Sequence, residues 1–194
     1  MANFHLYAKP FIDKLEPSRS IIVEIGSERG EGSTAWFDTV AKELNKDFYS
    51  VDVTDYASTT LTHLENTNFI ITSSGSKWAK DNTKTISVLY LDNYDWISTM
   101  NSIRPIEQQM IDEYNNRGVS MTNFDCQREH LEQMVNCMPC MDEQSIVICD
   151  DTPFDKSSGV YFGKNGPVIP YLVIHGYKIA YSGNNGVILT RGMQ

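Results

Sequence analysis

Two groups of residues in this chain have the types and spacing that chemistry needs, and each sits where an apolar run ends. The first is VEIGSERGEGST, residues 23–34. Gly26, Gly30 and Gly32, with the small hydroxyl residues Ser27, Ser33 and Thr34, follow directly on the run IIVEI, which itself contains Glu24. Glycine lacks a Cβ and tolerates positive φ, so a ligand can approach the main chain there and take hydrogen bonds from its N–H groups. The second group is acidic. LYLDNYD places Asp92 and Asp95 after one apolar run, and VICDDT places Asp150 and Asp151 after another. Converging carboxylates repel one another, so Asp92, Asp150 and Asp151 are expected to share a cation, and Mg²⁺ or Ca²⁺ suits oxygen ligands. The plainer alternative is that Asp150 or Asp151 caps a turn while Asp92 fixes backbone.

Histidine and cysteine add two further candidates. His130, at the start of a helical stretch, is the candidate general base, because an unperturbed imidazole titrates near neutrality. Packing or capping is its ordinary alternative. Cys126, His130, Cys137 and Cys140 spell C-x3-H-x6-C-x2-C, the donor types of a zinc site. Cys137 and Cys140 also flank the apolar stripe of a helix that Pro139 would end, and packing accounts for them. His5, His63 and His175 have no legible partners and read as structural or surface residues.

The elements that must position these residues are short β-branched or aromatic runs: IIVEI (21–25), FYSVDV (48–53), NFIIT (68–72), ISVLYLD (86–92), SIVICD (145–150), YKIAYS (177–182) and GVILTR (186–191). Several are apolar almost throughout, as parallel strands buried on both faces are. Helical periodicity lies between them. Residues 33–45 put Trp36, Phe37, Val40, Ala41 and Leu44 on one stripe, and 129–141 do the same with Leu131, Met134, Val135, Met138 and Met141. SGNNG joins the last two runs as a hairpin. The pattern predicts an open α/β sheet, in which ligands bind beyond the carboxyl ends of the strands. Asp52 ends the second run, where an acid can accept two hydrogen bonds from a ribose diol. The glycine spacing is GxxxGxG, which departs from the dinucleotide fingerprint GxGxxG and disfavours an NAD-dependent oxidoreductase.

VEIGSERGEGS followed by VD resembles the cofactor site of class I S-adenosylmethionine-dependent methyltransferases, and the terminal YKIAYSGNNGVILTR resembles the hairpin that closes their sheet. The likeness spans roughly residues 20–192. It implies a Rossmann-like, doubly wound, mostly parallel seven-stranded sheet with a C-terminal antiparallel hairpin. It implies S-adenosyl-L-methionine as cofactor, with Glu24, Gly26 and Gly30 at its methionine end and Asp52 at its ribose. Ser73, Ser74 and Gly75 would approach the adenine, and Ser27, Ser33 and Asp92 complete the implied cofactor set. The acidic strand ends are similar to those of a subgroup of O-methyltransferases acting on sugars and antibiotics. That similarity makes Asp92, Asp150 and Asp151 the ligands of a divalent metal; Asp92 and His130 are the candidate catalytic residues. One departure is the residue between Gly30 and Gly32, where relatives often have adjacent glycines.

Composition bounds the remainder. At 194 residues the chain fits one domain, 1–194, and 41% hydrophobic with 21% charged residues is ordinary for a globular protein. Its apolar runs are far too short for a membrane span, and MANFHLYAKPF lacks the basic start and long apolar core of a secretory signal. Four cysteines without such a signal point to reduced thiols and a cytoplasmic setting. A net charge of −9 argues against nucleic-acid and anionic-membrane partners and leaves a small-molecule acceptor. Residues 97–128 read as a lid or substrate wall. From Glu107 to Glu143 there are eight acidic residues against Arg117 and Arg128, which disfavours a phosphorylated acceptor. The sequence leaves a homo-oligomer open, and also a non-catalytic nucleoside-binding module of the same fold.

Overall fold

A computed structural model of the chain describes residues 3–16, 18–27, 32–97 and 103–193. Seven of its strands form one sheet: β1 (Ile21–Ile25), β2 (Phe48–Asp52), β3 (Thr67–Ile71), β4 (Ile86–Leu91), β5 (Met141–Cys149), β8 (Lys178–Gly183) and β9 (Gly186–Arg191). The two short strands β6 (Phe154–Asp155) and β7 (Val160–Tyr161) make a separate hairpin. The sheet order is β3-β2-β1-β4-β5-β9-β8, parallel from β3 to β5, with β9 antiparallel to both β5 and β8. The strand order turns at β1: β2 lies on one side of it and β4 on the other. The crevice between the β1 and β4 ends is therefore the topological switch point.

The central strands read as apolar runs because both of their faces are covered. One face packs Val23, Ile25, Leu89, Leu91, Val147 and Cys149 against α4 (Gly75–Asp81), α6 (Asn123–Cys137) and α7 (Val168–Ile174). The other packs Ile22, Val88, Tyr90 and Ile148 against α2 (Ser33–Leu44) and the N-terminal segment, a 3-10 turn Phe4–Ala8 running into α1 (Lys9–Ile12). Alternation along each strand makes these two cores. A short helix, α3 (Tyr56–Thr60), follows β2. The stripe expected over 33–45 is present, with Phe37, Val40 and Ala41 buried. Among the described residues no helix is long and apolar enough to cross a membrane.

Two expectations shift. The helix expected over 129–141 is α6, which begins earlier and ends before Pro139; Met141 already belongs to β5. Its buried face is Cys126, His130, Gln133, Met134 and Cys137, while Val135 is exposed. α6 packs closely on α4: a Cβ on Gly75 would lie 2.5 Å from Ile25 Cγ2 and 2.6 Å from Gln133 Nε2, so glycine makes room there for the Gln133 side chain. The insertion expected over 97–128 contains α5 (Pro105–Asn116), but its last six residues, 123–128, are the first turns of α6. Asn123 clips the segment, accepting from Ile97 N at 2.9 Å and donating to Ile97 O at 2.8 Å.

Candidate active site

The loop after β1 is built from beneath by Glu24. Its side chain is fully buried and accepts from the hydroxyls of Ser33 (2.7 Å), Thr34 (2.7 Å) and Ser50 (2.8 Å). Three short O–H donors offset the desolvation of a carboxylate placed inside a strand. They moor the first turn of α2 to β1 and β2. Glu24 and Ser33 are thus turned into the protein. Ser27 shares a hydrogen bond with Ser50 (Oγ···Oγ 2.7 Å), and its backbone N–H donates to Asp52 Oδ2 at 2.9 Å.

Asp52 stands at the end of β2, partly exposed. Its second oxygen accepts from Thr54 N (2.8 Å) and Thr54 Oγ1 (3.0 Å). Each carboxylate oxygen has two lone-pair directions, so Oδ1 is filled by Thr54 and capacity for a ligand remains on Oδ2. Gly26 has φ +100°, and a Cβ on it would lie 2.4 Å from Asn93 N; this glycine lets the β1 and β4 loops touch. Gly32, at φ +98°, opens onto space instead and gives α2 no side-chain cap. Gly30 lies outside the described residues. After β3, Ser73 is exposed and Ser74 caps α4 by accepting from Lys77 N at 3.1 Å. Asn93 Oδ1, beside Gly26, is buried without a hydrogen-bond partner, an acceptor suited to an N–H group of a ligand.

The acidic strand ends do converge, but around a residue that sequence reasoning missed. Lys164 Nζ lies 2.8 Å from Asp92 Oδ1 and 3.0 Å from Asp151 Oδ2. On the other side the Tyr90 hydroxyl lies 3.1 Å from Asp92 Oδ2 and 2.6 Å from Asp150 Oδ2. Burial, and then the charge of Asp92, push the Asp150 carboxyl up to about 7. Burial alone would lower the Lys164 ammonium, but Asp92 and Asp151 outweigh it and raise its pKa. Burial also raises the Tyr90 phenol, which stays protonated. One phenolic proton cannot serve two carboxylates, a need met when Asp150 carries its own.

This arrangement corrects the expectation of Mg²⁺ or Ca²⁺ between Asp92, Asp150 and Asp151. Their oxygens face an ammonium and a phenol, and among the described residues no three His, Cys, Asp or Glu side chains converge as metal ligands would. A divalent ion does not fit that donor set. The legible signal for Lys164 was GKNG, residues 163–166, two glycines flanking a lysine and an asparagine. Asn165 Nδ2 bridges the carbonyls of Leu91 (3.2 Å) and Asp150 (3.0 Å), stitching the ends of β4 and β5. Two non-glycine residues with positive φ, Tyr94 (+62°) and Asp151 (+46°), sit at these same strand ends, where strain held by surrounding contacts accompanies function.

His130 has surroundings unlike those its sequence position suggested. It is fully buried, and burial lowers its pKa to about 3, so the ring is neutral. Nδ1 lies 2.8 Å from Cys126 O and donates to it, which leaves Nε2 as a buried acceptor without a partner. Of the C-x3-H-x6-C-x2-C residues, Cys126 and His130 meet, with Sγ 3.7 Å from Nδ1, but the four do not gather. Cys137 is in the core, while Cys140 Sγ turns away to the carbonyl of Asn82 at 3.3 Å.

No family model and no curated protein matches the sequence. Solved structures do match the fold. A provisionally assigned rRNA methylase from Clostridium thermocellum superposes with a TM-score of 0.55 at 10% identity, over 98% of this chain and 97% of its own. A provisionally assigned methyltransferase from Streptococcus mutans, in complex with SAH, gives 0.50 at 10% identity over 98% and 97%. The CurJ carbon methyltransferase gives 0.54 at 11% identity, over 94% of this chain and 51% of its own. The chain therefore has the Rossmann-like methyltransferase fold, and at such identities the likeness concerns the fold alone.

Proposed function

We propose that the chain is an S-adenosylmethionine-dependent methyltransferase that methylates a hydroxyl of a small molecule. One observation carries the reading: at the switch point, a loop whose backbone favours glycine at Gly26 and Gly32 lies against Asp52 at the end of the next strand. Gly26, Ser27 and Gly30 would hold the methionine end of the cofactor, Asp52 the ribose, and Ser73 and Ser74 the adenine. Asn93 Oδ1, buried beside Gly26, is an acceptor with no partner of its own. Neighbours of the same fold include one in complex with SAH, which supports the choice of cofactor. S-Adenosylmethionine, when bound, supplies an electrophilic methyl group on a sulfonium.

The chain supplies alignment. Asp92, partly exposed at the end of β4, accepts a hydrogen bond from the substrate hydroxyl, fixes its direction and takes its proton as the oxygen is methylated, and proximity lowers much of the barrier. Neutral His130 serves the site as a buried acceptor on α6 and holds no charge at neutral pH. The test is calorimetry with S-adenosylhomocysteine and NADH. Micromolar binding of the former and none of the latter is expected; the reverse would overturn the reading. A nucleic-acid acceptor is the second reading, favoured by the rRNA methylases among the neighbours and opposed by the net charge of −9.

A further inference from the structure

We infer that Lys164 is the resident cation of the acidic crevice and the residue that positions Asp92, a fixed ammonium where a divalent ion would otherwise be needed. The effect on rate rests on the methyl-transfer reading above; the effect on stability does not.

Geometry carries the inference. The Lys164 side chain is 7% exposed, whereas its partners Asp92 and Asp151 are 30% and 51% exposed, so the cation lies beneath the carboxylates and they face the crevice. Its loop cannot swing. Lys164 N donates to Asp151 O at 3.0 Å, and a Cβ on Gly163 would lie 2.0 Å from that same oxygen, so only glycine permits the approach. Gln127 of α6 donates to Gly163 O at 2.9 Å, and Asn165 is bound to both strand ends. With Lys164 on Oδ1 and Tyr90 on Oδ2, the plane of the Asp92 carboxylate is set from two sides. An ammonium is a compact charge with three donors, enough to bond both carboxylates at once, offset part of their mutual repulsion and fix their orientation. Lys164 touches no reacting atom; it acts through Asp92.

A double-mutant cycle with Asp92 tests this. Lys164→Met keeps the stem and removes the charge, leaving carboxylates crowded around a partly buried Asp92, and should lower the melting temperature by on the order of 10 °C. In an Asp92→Asn background the same substitution should cost less than half as much, and Lys164→Arg should recover most of the loss. Additive losses, or an arginine variant as damaged as the methionine one, would assign Lys164 to packing and overturn the inference. This arm is read by melting alone and decides even if no methyl acceptor is ever found. Should Lys164→Met not fold, the arginine variant decides, because restored folding requires the charge. In turnover, kcat of Lys164→Met should fall at least tenfold while affinity for S-adenosylhomocysteine stays within about twofold; an unchanged kcat would remove the positioning role. Wild type stripped with chelator should melt at the same temperature with and without added Mg²⁺ or Ca²⁺. Saturable stabilisation by either ion would give the crevice back to a metal.

Discussion

At the scale of single residues, the site separates side chains that face a ligand from side chains that shape the loop. Asp52 belongs to the first kind. Asp52→Ala should remove a charge-assisted hydrogen bond to a ribose, about 1.5–3 kcal/mol, and weaken S-adenosylhomocysteine by tenfold or more in calorimetry. An unchanged affinity would take Asp52 out of the site. Glu24 belongs to the second, since its carboxylate is consumed by Ser33, Thr34 and Ser50. His130 allows a pH test. Its folded pKa, about 3, lies below the ordinary 6.5, so its contribution to stability is present above pH 6.5 and is lost as pH falls, when only the unfolded chain takes up the proton. By pH 5.5 the loss is about 1.4 kcal/mol, roughly 3–5 °C in melting temperature. His130→Gln should lack that share of the slope between pH 7.5 and 5.5 and keep the share of His5, whose pKa burial lowers to about 4. Equal slopes would contradict the buried, neutral imidazole.

At the scale of elements, the glycines of the first loop do different things. Gly26 lets two strand ends touch, so Gly26→Ala combines an unfavourable φ with a backbone clash on Asn93. A loss of at least about 2 kcal/mol and of cofactor binding should follow. Gly32→Ala meets no neighbour and should cost about 1 kcal/mol of strain. Thermal melts that rank the two in the other order would contradict this account of the loop. The same contrast explains what was legible in the sequence. Strands, the α2 stripe, the closing hairpin and the places of Glu24, Asp52 and Asp92 were readable, because period and strand ends are local. The face of α6 was readable only in part: Met134 is buried as expected and Leu131 packs on the core, but the other buried positions are cysteine, histidine and glutamine, which carry no apolar period. For Lys164 the GKNG signal marks a loop and does not say that the lysine meets the aspartates. It enters from a loop 72 residues after Asp92, and converging aspartates suggest a cation without saying that the chain carries it.

At the scale of the whole molecule, charge bears on what the crevice accepts. The segments that follow β4 and β5 lie on the carboxyl-end side of the sheet. They expose Phe124, Phe154 and Phe162, and of the cations there Arg104, Arg128 and Lys164 are paired with Glu107, Asp125, and Asp92 with Asp151, which leaves Arg117 and Lys156. Binding RNA depends on many lysines and arginines that neutralise phosphates and release counterions, and beyond Arg117 and Lys156 a partner of that kind would draw on pairs already made. The net charge of −9 adds a long-range repulsion. Apolar and aromatic side chains around a polar strand end suit a small acceptor with a hydroxyl on an otherwise apolar body. Two measurements check this. Fluorescence anisotropy with labelled single-stranded and hairpin RNAs should give no saturable binding below about 0.1 mM at physiological salt, the weak end of ordinary non-specific affinities. Incubation of the protein with methyl-labelled S-adenosylmethionine and a cell extract should put label into the small-molecule fraction. Micromolar RNA binding that weakens steeply with salt, with label in the RNA fraction, would move the acceptor to nucleic acid and leave the crevice around Asp92 to a nucleotide.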